Sequence, residues 1–250
     1  MRTLVKLSWV ELKLFGRDPV TVIFSLAFPV ITFFVLAGVF GNEMEFDDGR
    51  PVWRGVGPTD YLVAAYIGLV MASIGLIAVP VHLAAYREQG VLRRLRASSI
   101  SLWAVLGSQV VFAVVMATIG GLLITVVATL AYGTPLPDAP GQFLLAFTLS
   151  ALCFAAIGVL LGSVLSTTRA AQGGGLILFF VMFIISGTGP PRDVMSPAMQ
   201  LLGDLTPLRY VVFILQDPWL GFGWDWATYA VVVAITVLAS VVSLRTFQWE

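Results

Sequence analysis

The residues best suited to do chemistry lie at 86–101, YREQGVLRRLRASSIS, where Arg87, Glu88, Arg93, Arg94 and Arg96 interrupt two long apolar runs. Val91, Leu92 and Leu95 recur at helical spacing and form one apolar face, while Arg93, Arg94 and Arg96 populate the other. Gly90 marks a turn into this helix, because glycine weakens helix continuity. A short helix of that design at a membrane surface either binds lipid headgroups or seats in a groove on another protein. Spacing alone does not choose between them.

Little else in the chain is reactive. The one cysteine, Cys153, sits inside an apolar run, so there is no intrachain disulfide and no Cys/His metal set, and the thiol reads as a buried structural one. The one histidine, His82, stands at the end of an apolar run and reads as an interfacial residue. A rhomboid-type serine protease needs a serine and a histidine within reach, and the chain has no G-x-S-G motif. No catalytic or metal-binding residue is expected.

The elements that position this segment are set by composition. Of 250 residues, 58% are hydrophobic and 11% charged, too little charge to cover a soluble surface. The expected fold is an all-α integral membrane protein, a single domain over 1–250. Hydrocarbon about 30 Å thick takes roughly 20 apolar residues per helix, and six segments qualify: 20–40, 61–82, 102–131, 143–165, 173–187 and 226–247. Long unbroken runs argue for helices, since barrel strands alternate polar and apolar residues.

Residues 1–18 come before the first span. Arg2, Lys6, Lys13 and Arg17 fall within about 60° of one another on a helical wheel, beside an apolar stripe of Leu4, Leu7, Val10 and Leu14. Together with Trp9, this describes an amphipathic helix lying in the interface against membrane lipid. No cleavable signal peptide is visible, so the first apolar run is expected to remain. Asp18 and Pro19 then turn the chain into the bilayer. Ten basic residues lie in the N-terminal segment, the 86–101 loop, Arg169 and Arg245, against four in the alternate loops, where Glu43, Glu45, Asp47, Asp48 and Asp60 also sit. The positive-inside rule therefore places both termini and the 86–101 segment in the cytoplasm. Residues 188–225 carry Asp204, Pro207 and Arg209 in an apolar stretch, which makes a poor spanning helix. They read either as a kinked pair of short helices dipping into the outer leaflet or as a surface helix joining the last two spans.

Arg87-Glu88-Gln89-Gly90-Val91-Leu92-Arg93-Arg94-Leu95-Arg96-Ala97-Ser98-Ser99-Ile100-Ser101 resembles the first cytoplasmic loop of type-2 ABC transporter permeases, in which R-E-x-G-T-L-x-x-L-x-A-T-P-x-S forms the coupling helix. Thr206-Pro207-Leu208-Arg209-Tyr210 is similar to the N-P-L-T-Y stretch of that family's re-entrant outer helices. The six spans, interfacial helix and cytoplasmic termini also match, so the resemblance covers essentially the whole chain. Val91 stands for the usual Thr, Ser99 for Pro and Thr206 for Asn. The resemblance implies that Arg87, Glu88, Gly90, Val91, Leu92, Arg93 and Leu95 dock on a separate ABC ATPase subunit, present in two copies. It also implies a second permease chain, forming a homodimer or a related pair, in the cytoplasmic membrane of a bacterium. No nucleic-acid partner is expected. Cofactors are absent from this chain, because no G-x-x-x-x-G-K-S/T occurs and Gly173-Gly174-Gly175 lacks the Lys and Ser/Thr that hold phosphate and metal. ATP and Mg belong to the partner, and the glycines read as a close-packing surface.

Phe28, Phe33, Tyr66, Met71, Phe179 and Phe183 are candidates to line a greasy path for substrate. Acidic and basic residues are missing from the middle of the spans, which disfavours a proton- or sodium-coupled carrier and suits a lipophilic or amphipathic cargo. Drug and antibiotic export permeases of the daunorubicin resistance type look closest. Polysaccharide and teichoic-acid exporters share the architecture, and an ATP-independent secondary carrier is the reading from another class.

Overall fold

A computed structural model describes residues 2–47 and 49–247. Asp48 of the acidic loop lies outside the described residues, as do Met1, residues 248–250 and the side chain of Arg2. Among the described residues six helices are long and apolar enough to cross a membrane: Pro19–Phe40, Pro58–Glu88, Leu102–Tyr132, Pro140–Val164, Thr168–Ile185 and Trp226–Thr246. They are spans 1 to 6 below, and the side bearing residues 86–101 is termed inner, following the charge bias. Among the described residues the only strands are Phe46–Asp47 and Arg50–Pro51, paired antiparallel in the first outer loop. The chain is an all-α integral membrane protein.

Local chemistry explains where the spans begin. The Asp18 carboxylate accepts from the backbone N–H of Thr21 at 3.2 Å and caps span 1, with Pro19 in its first turn. Thr167 accepts from the N–H of Ala170 at 3.2 Å. That cap starts span 5 at Thr168, ahead of the expected residue 173, and draws the whole glycine run into the helix. The helix of span 2 runs on past the apolar run that ends at residue 82 to Glu88, up to the turn expected at Gly90, so it delivers the basic segment without a break.

Span 2 is the axis of the fold. Its most apolar window is buried throughout, as a helix hydrophobic on every side must be. Two wide π turns interrupt the bundle, Ile23–Ala27 in span 1 and Ile74–Ala78 in span 2, each just ahead of a proline, Pro29 or Pro80. A proline has no N–H for the carbonyl four residues back, and the bulge makes room for its ring. At Pro29 the carbonyl so deprived is that of Ser25, and the Ser73 hydroxyl of span 2 donates to it at 2.8 Å. At Pro80 it is that of Leu76, and Gly175 of span 5 comes so close that a Cβ there would lie under 3.0 Å from the Leu76 oxygen. Gly75 and Gly158 cross just as tightly, each against the other helix's backbone, and Gly162 seats on Leu83 and Pro80. The Gly158/Gly162 pair thus packs span 4 on span 2 within one chain.

The helix Arg2–Phe15 precedes span 1. Lys6, Lys13 and Arg17 are exposed as the wheel predicts, but Val10 and Leu14 of the predicted stripe are exposed too. The face turned to the protein is instead Ser8, Glu11 and Phe15, with Leu4, Leu7 and Leu12 half-buried beside them. An acidic residue in the middle of that face hid it from a reading based on apolar spacing.

Between spans 5 and 6, helices Pro197–Asp204 and Pro207–Leu220 are bent by 89°, the kinked pair of the two readings open for 188–225. Asp204 sits at the bend, accepts from Arg192 Nη2 at 2.9 Å and pairs with Arg209. Arg54 of the first outer loop donates to Asp217 Oδ1 at 2.7 Å and Gln216 Oε1 at 3.1 Å. The guanidinium groups of Arg54 and Arg209 each lie 4.4 Å from the Phe213 ring centre. The charges that made this stretch a poor span are therefore paired or stacked on an aromatic face.

Candidate functional site: the inner loop and its clamp

Gly90, at φ +64°, takes the left-handed turn that ends span 2 and starts the short helix Val91–Ala97. Leu92 is buried, and Val91 and Leu95 are half-buried against the same core. The apolar face of the loop helix thus seats it on its own chain. Arg93, Arg94 and Arg96 stay exposed with Glu88 and Gln89, and they form the outward face of the loop helix. Ser99 follows at φ +56°, with its N–H bonded to the Arg96 carbonyl at 3.0 Å. A proline there could neither reach that φ nor supply that N–H, so the departure from the family pattern at residue 99 belongs to a different turn. Ser101 then caps span 3 by accepting from the N–H of Ala104 at 3.3 Å.

Arg87 and Glu88 point elsewhere. Arg87 Nη1 donates to the Leu165 carbonyl at 2.9 Å and Nη2 to the Ser163 carbonyl at 3.4 Å, where span 4 leaves its last carbonyls without helical partners. Glu88 Oε2 accepts from the Thr168 hydroxyl in the first turn of span 5. Two neighbouring side chains at the foot of span 2 therefore grip the loop between spans 4 and 5. Sequence reasoning named Arg87 and Glu88 but not their partners, which lie 76 to 80 positions away. No local signal marks such contacts.

The candidate path residues divide in two. Phe33, Tyr66, Met71 and Phe179 are wholly buried inside the chain, while Phe28 and Phe183 are half-exposed. Phe28 of span 1 stands at the centre of an aromatic group, with the rings of Phe179, Phe180 and Phe183 of span 5 at 5.8, 5.4 and 5.9 Å, mostly edge to face. Tyr66 contacts Phe33 at 5.8 Å and Phe183 at 6.4 Å. Met71 lies in the same core one turn and more beyond Tyr66.

His82 stands at the inner end of span 2 but faces neither water nor lipid. It is 6% exposed and stands beside Glu11, which is fully buried. Cys153 is buried and free, as expected of a structural thiol. No group of three or more His, Cys, Asp or Glu among the described residues is placed to hold a metal.

A family model described as ABC-2 type transporter matches residues 3–219 of the chain. The chain belongs to the ABC-2 type transporter family. Proteins named "Probable multidrug ABC transporter permease YbhR" in Escherichia coli strain K12 and in Escherichia coli O157:H7 are each 24% identical to it over 160 residues. The match covers 64% of this chain and 44% of those proteins, so the chain spans less than half the length of the curated relatives it matches.

Proposed function

We propose that this ABC-2 chain is the permease subunit of an ATP-driven exporter that moves a lipophilic or amphipathic compound, drug-like or lipid-like, out across the cytoplasmic membrane of a bacterium. The observation that carries this reading is the clamp at the foot of span 2. A loop helix with an exposed basic face joins directly to Arg87 and Glu88, and these hold the ends of spans 4 and 5. A push on the loop helix from a partner is thereby delivered to three spans rather than one.

In this scheme a separate ABC ATPase, in two copies, holds ATP and Mg and docks on Arg93, Arg94 and Arg96, with Val91, Leu92 and Leu95 anchoring the loop helix from behind. ATP draws the ATPase subunits together, the loop helices move with them, and two permease chains, taken as a homodimer, pass between inward-open and outward-open arrangements. ATP must bind the two arrangements unequally for the cycle to be driven. The cargo path follows the seam of spans 1 and 5, with Phe28 and Phe183 facing it and Phe33, Tyr66, Met71 and Phe179 behind. The relatives' multidrug names support a lipophilic cargo, as does the absence of acidic and basic residues from the middle of the spans.

The experiment is co-purification with an ATPase encoded beside it, followed by a screen for compounds that stimulate hydrolysis and are exported from proteoliposomes. Stimulation and export that vanish in an Arg93→Glu/Arg94→Glu/Arg96→Glu chain are expected. Export that continues without ATP hydrolysis would mean a secondary carrier and overturn the proposal.

A further inference from the structure

On the outer side, three parts of the chain far apart in sequence enclose one cavity of about 490 Å³. Asp60 comes from the first turn of span 2, Asp138 from the loop between spans 3 and 4, and Trp219 from the end of the bent outer pair. Val56, Leu136 and Leu220 supply apolar wall. Hydrogen bonds hold these parts together. The N–H groups of Asp138 and Ala139 donate to the carbonyls of Trp219 and Pro218 at 3.3 and 3.0 Å. Asn42 Nδ2 donates to Asp60 Oδ2 at 3.1 Å, and the Asp60 N–H donates back to Asn42 Oδ1 at 3.2 Å. Gly221, at φ +76°, lets the Asp138 carboxylate lie across the turn, with Oδ2 3.1 Å from where a Cβ would stand.

A donor and an acceptor in this lining lack partners. Trp219 is 4% exposed, its ring edge to face with Phe143 at 5.0 Å, and its Nε1–H has no hydrogen-bond acceptor among the described residues. Asp60 Oδ1 is likewise buried with no donor, while Oδ2 is taken by Asn42. Among the described residues, no lysine or arginine lies within ion-pair distance of Asp60 or Asp138. Buried donors and acceptors in folded proteins are nearly always satisfied. This pair therefore asks for a molecule that serves both.

The lining defines what that molecule carries. Two carboxylates take a positive charge or a hydrogen-bond donor, and the indole N–H takes an oxygen. A bare metal ion is a poor fit, because calcium wants roughly six to eight oxygen ligands and the indole N–H turns its positive end toward any cation. An ammonium group with an oxygen close by meets both demands. The cavity falls within the roughly 300–1,000 Å³ usual for small-molecule sites. It leaves room for an apolar body against Val56, Leu136 and Leu220.

We propose that this cavity is a binding site on the outer face for an amphipathic amino alcohol. The ammonium is held by Asp60 and Asp138, the oxygen accepts from Trp219 Nε1, and the apolar body packs on the leucines. A primary ammonium two carbons from an oxygen occurs both in soluble amino alcohols and in the ethanolamine headgroup of a phospholipid. Binding uses this chain alone, so it stands apart from the ATPase and from the seam of spans 1 and 5.

The test uses the full chain in phosphatidylcholine nanodiscs at neutral pH, with phenylethanolamine as the probe and binding to empty nanodiscs subtracted. Two analogues each lack one feature: phenethylamine has no hydroxyl, and styrene glycol has no charge. Equilibrium dialysis should show saturable binding of phenylethanolamine, weaker by roughly tenfold or more for the glycol and by about fivefold for phenethylamine. Asp60→Asn, which keeps an oxygen for Asn42, and Asp138→Asn should each weaken phenylethanolamine by roughly tenfold and change the glycol little. Trp219→Phe should bring phenylethanolamine down to the affinity of phenethylamine. In chain grown with fluorotryptophan, the fluorine signal that vanishes in Trp219→Phe should move as phenylethanolamine is added. Glycol bound as tightly as phenylethanolamine would mean an apolar hollow only and overturn the proposal. So would the absence of saturable binding, or binding that leaves the Trp219 signal where it was. Should Trp219→Phe not fold, the aspartate variants and the three probes decide by themselves. Nanodiscs containing phosphatidylethanolamine separate the two sources: competition with the probe assigns the site to the lipid headgroup, and its absence assigns it to a soluble amine.

Discussion

Three consecutive glycines in span 5 offer a sharp test of how the bundle is held. Gly173 has nothing within 4 Å of where a Cβ would stand, Gly174 meets only Leu165 Cδ1 at 4.0 Å, and Gly175 would place a Cβ against the Leu76 carbonyl oxygen. That oxygen belongs to the π turn of span 2 and cannot rotate aside as a side chain would. Gly175→Ala therefore forces the two backbones apart, at the upper end of the roughly 1–3 kcal/mol usual for overpacking. Alanine returns about 1 kcal/mol of helix propensity, leaving a net loss of about 2 kcal/mol. For a chain of this size that corresponds to a fall in melting temperature of roughly 4–8 °C. Gly173→Ala should keep the propensity gain without the clash and raise the melting temperature by roughly 2–4 °C. The assay is thermal unfolding of detergent-purified chain, followed by the fluorescence of buried tryptophan. If Gly175→Ala is as stable as Gly173→Ala, the close approach of spans 2 and 5 is wrong, and with it the account of the second π turn.

Further substitutions probe the other joints. Ser73→Ala removes the donor to the Ser25 carbonyl, which Pro29 cannot supply, and should cost about 1–3 kcal/mol in the same unfolding assay, whereas a hydroxyl restored as Thr should recover part of it. Ser99→Gly should stabilise the chain by about 1 kcal/mol by relieving a left-handed conformation, while Ser99→Pro should destabilise it despite matching the family pattern. In the proposed complex with an ABC ATPase, Arg87→Ala and Glu88→Gln should leave basal hydrolysis near normal and reduce cargo-stimulated hydrolysis several-fold; unchanged stimulation would show that the clamp transmits nothing. The Thr228 hydroxyl, helped by the N–H groups of Ala227 and Thr228, holds the Asp225 carboxyl below the usual range. Its capping of span 6 is complete above the ordinary aspartate range and is lost as pH falls through the lowered value. The fraying of span 6 in acid, read by hydrogen exchange, should therefore lose its pH dependence in Asp225→Asn.

Much of the architecture was legible because it follows from rules that act locally. Apolar runs must be helices in a bilayer, since no water there can satisfy a bare backbone, and so all six spans were found, with errors only at ends decided by caps such as Thr167. Amphipathic spacing at 91–95 told that a helix lies there. It did not tell which way the helix faces, because the same stripe suits a partner's groove or the chain's own core, and in the fold Leu92 turns inward. The kink before Pro207 was likewise readable from Asp204, Pro207 and Arg209, whereas the partners of those charges were not.

By itself, then, the amino-acid sequence determined the membrane class, the number of spans, the place of the loop helix and the bent outer pair, all set by composition and short-range periodicity. Only the tertiary structure decided what Arg87 and Glu88 hold, which glycines touch, and where His82 lies. Each of these joins residues many positions apart. A histidine at a span's end reads as interfacial, with no local sign of the residues it meets. Glu11, His82 and Gln109 lie on three different helices and meet only once those helices have packed.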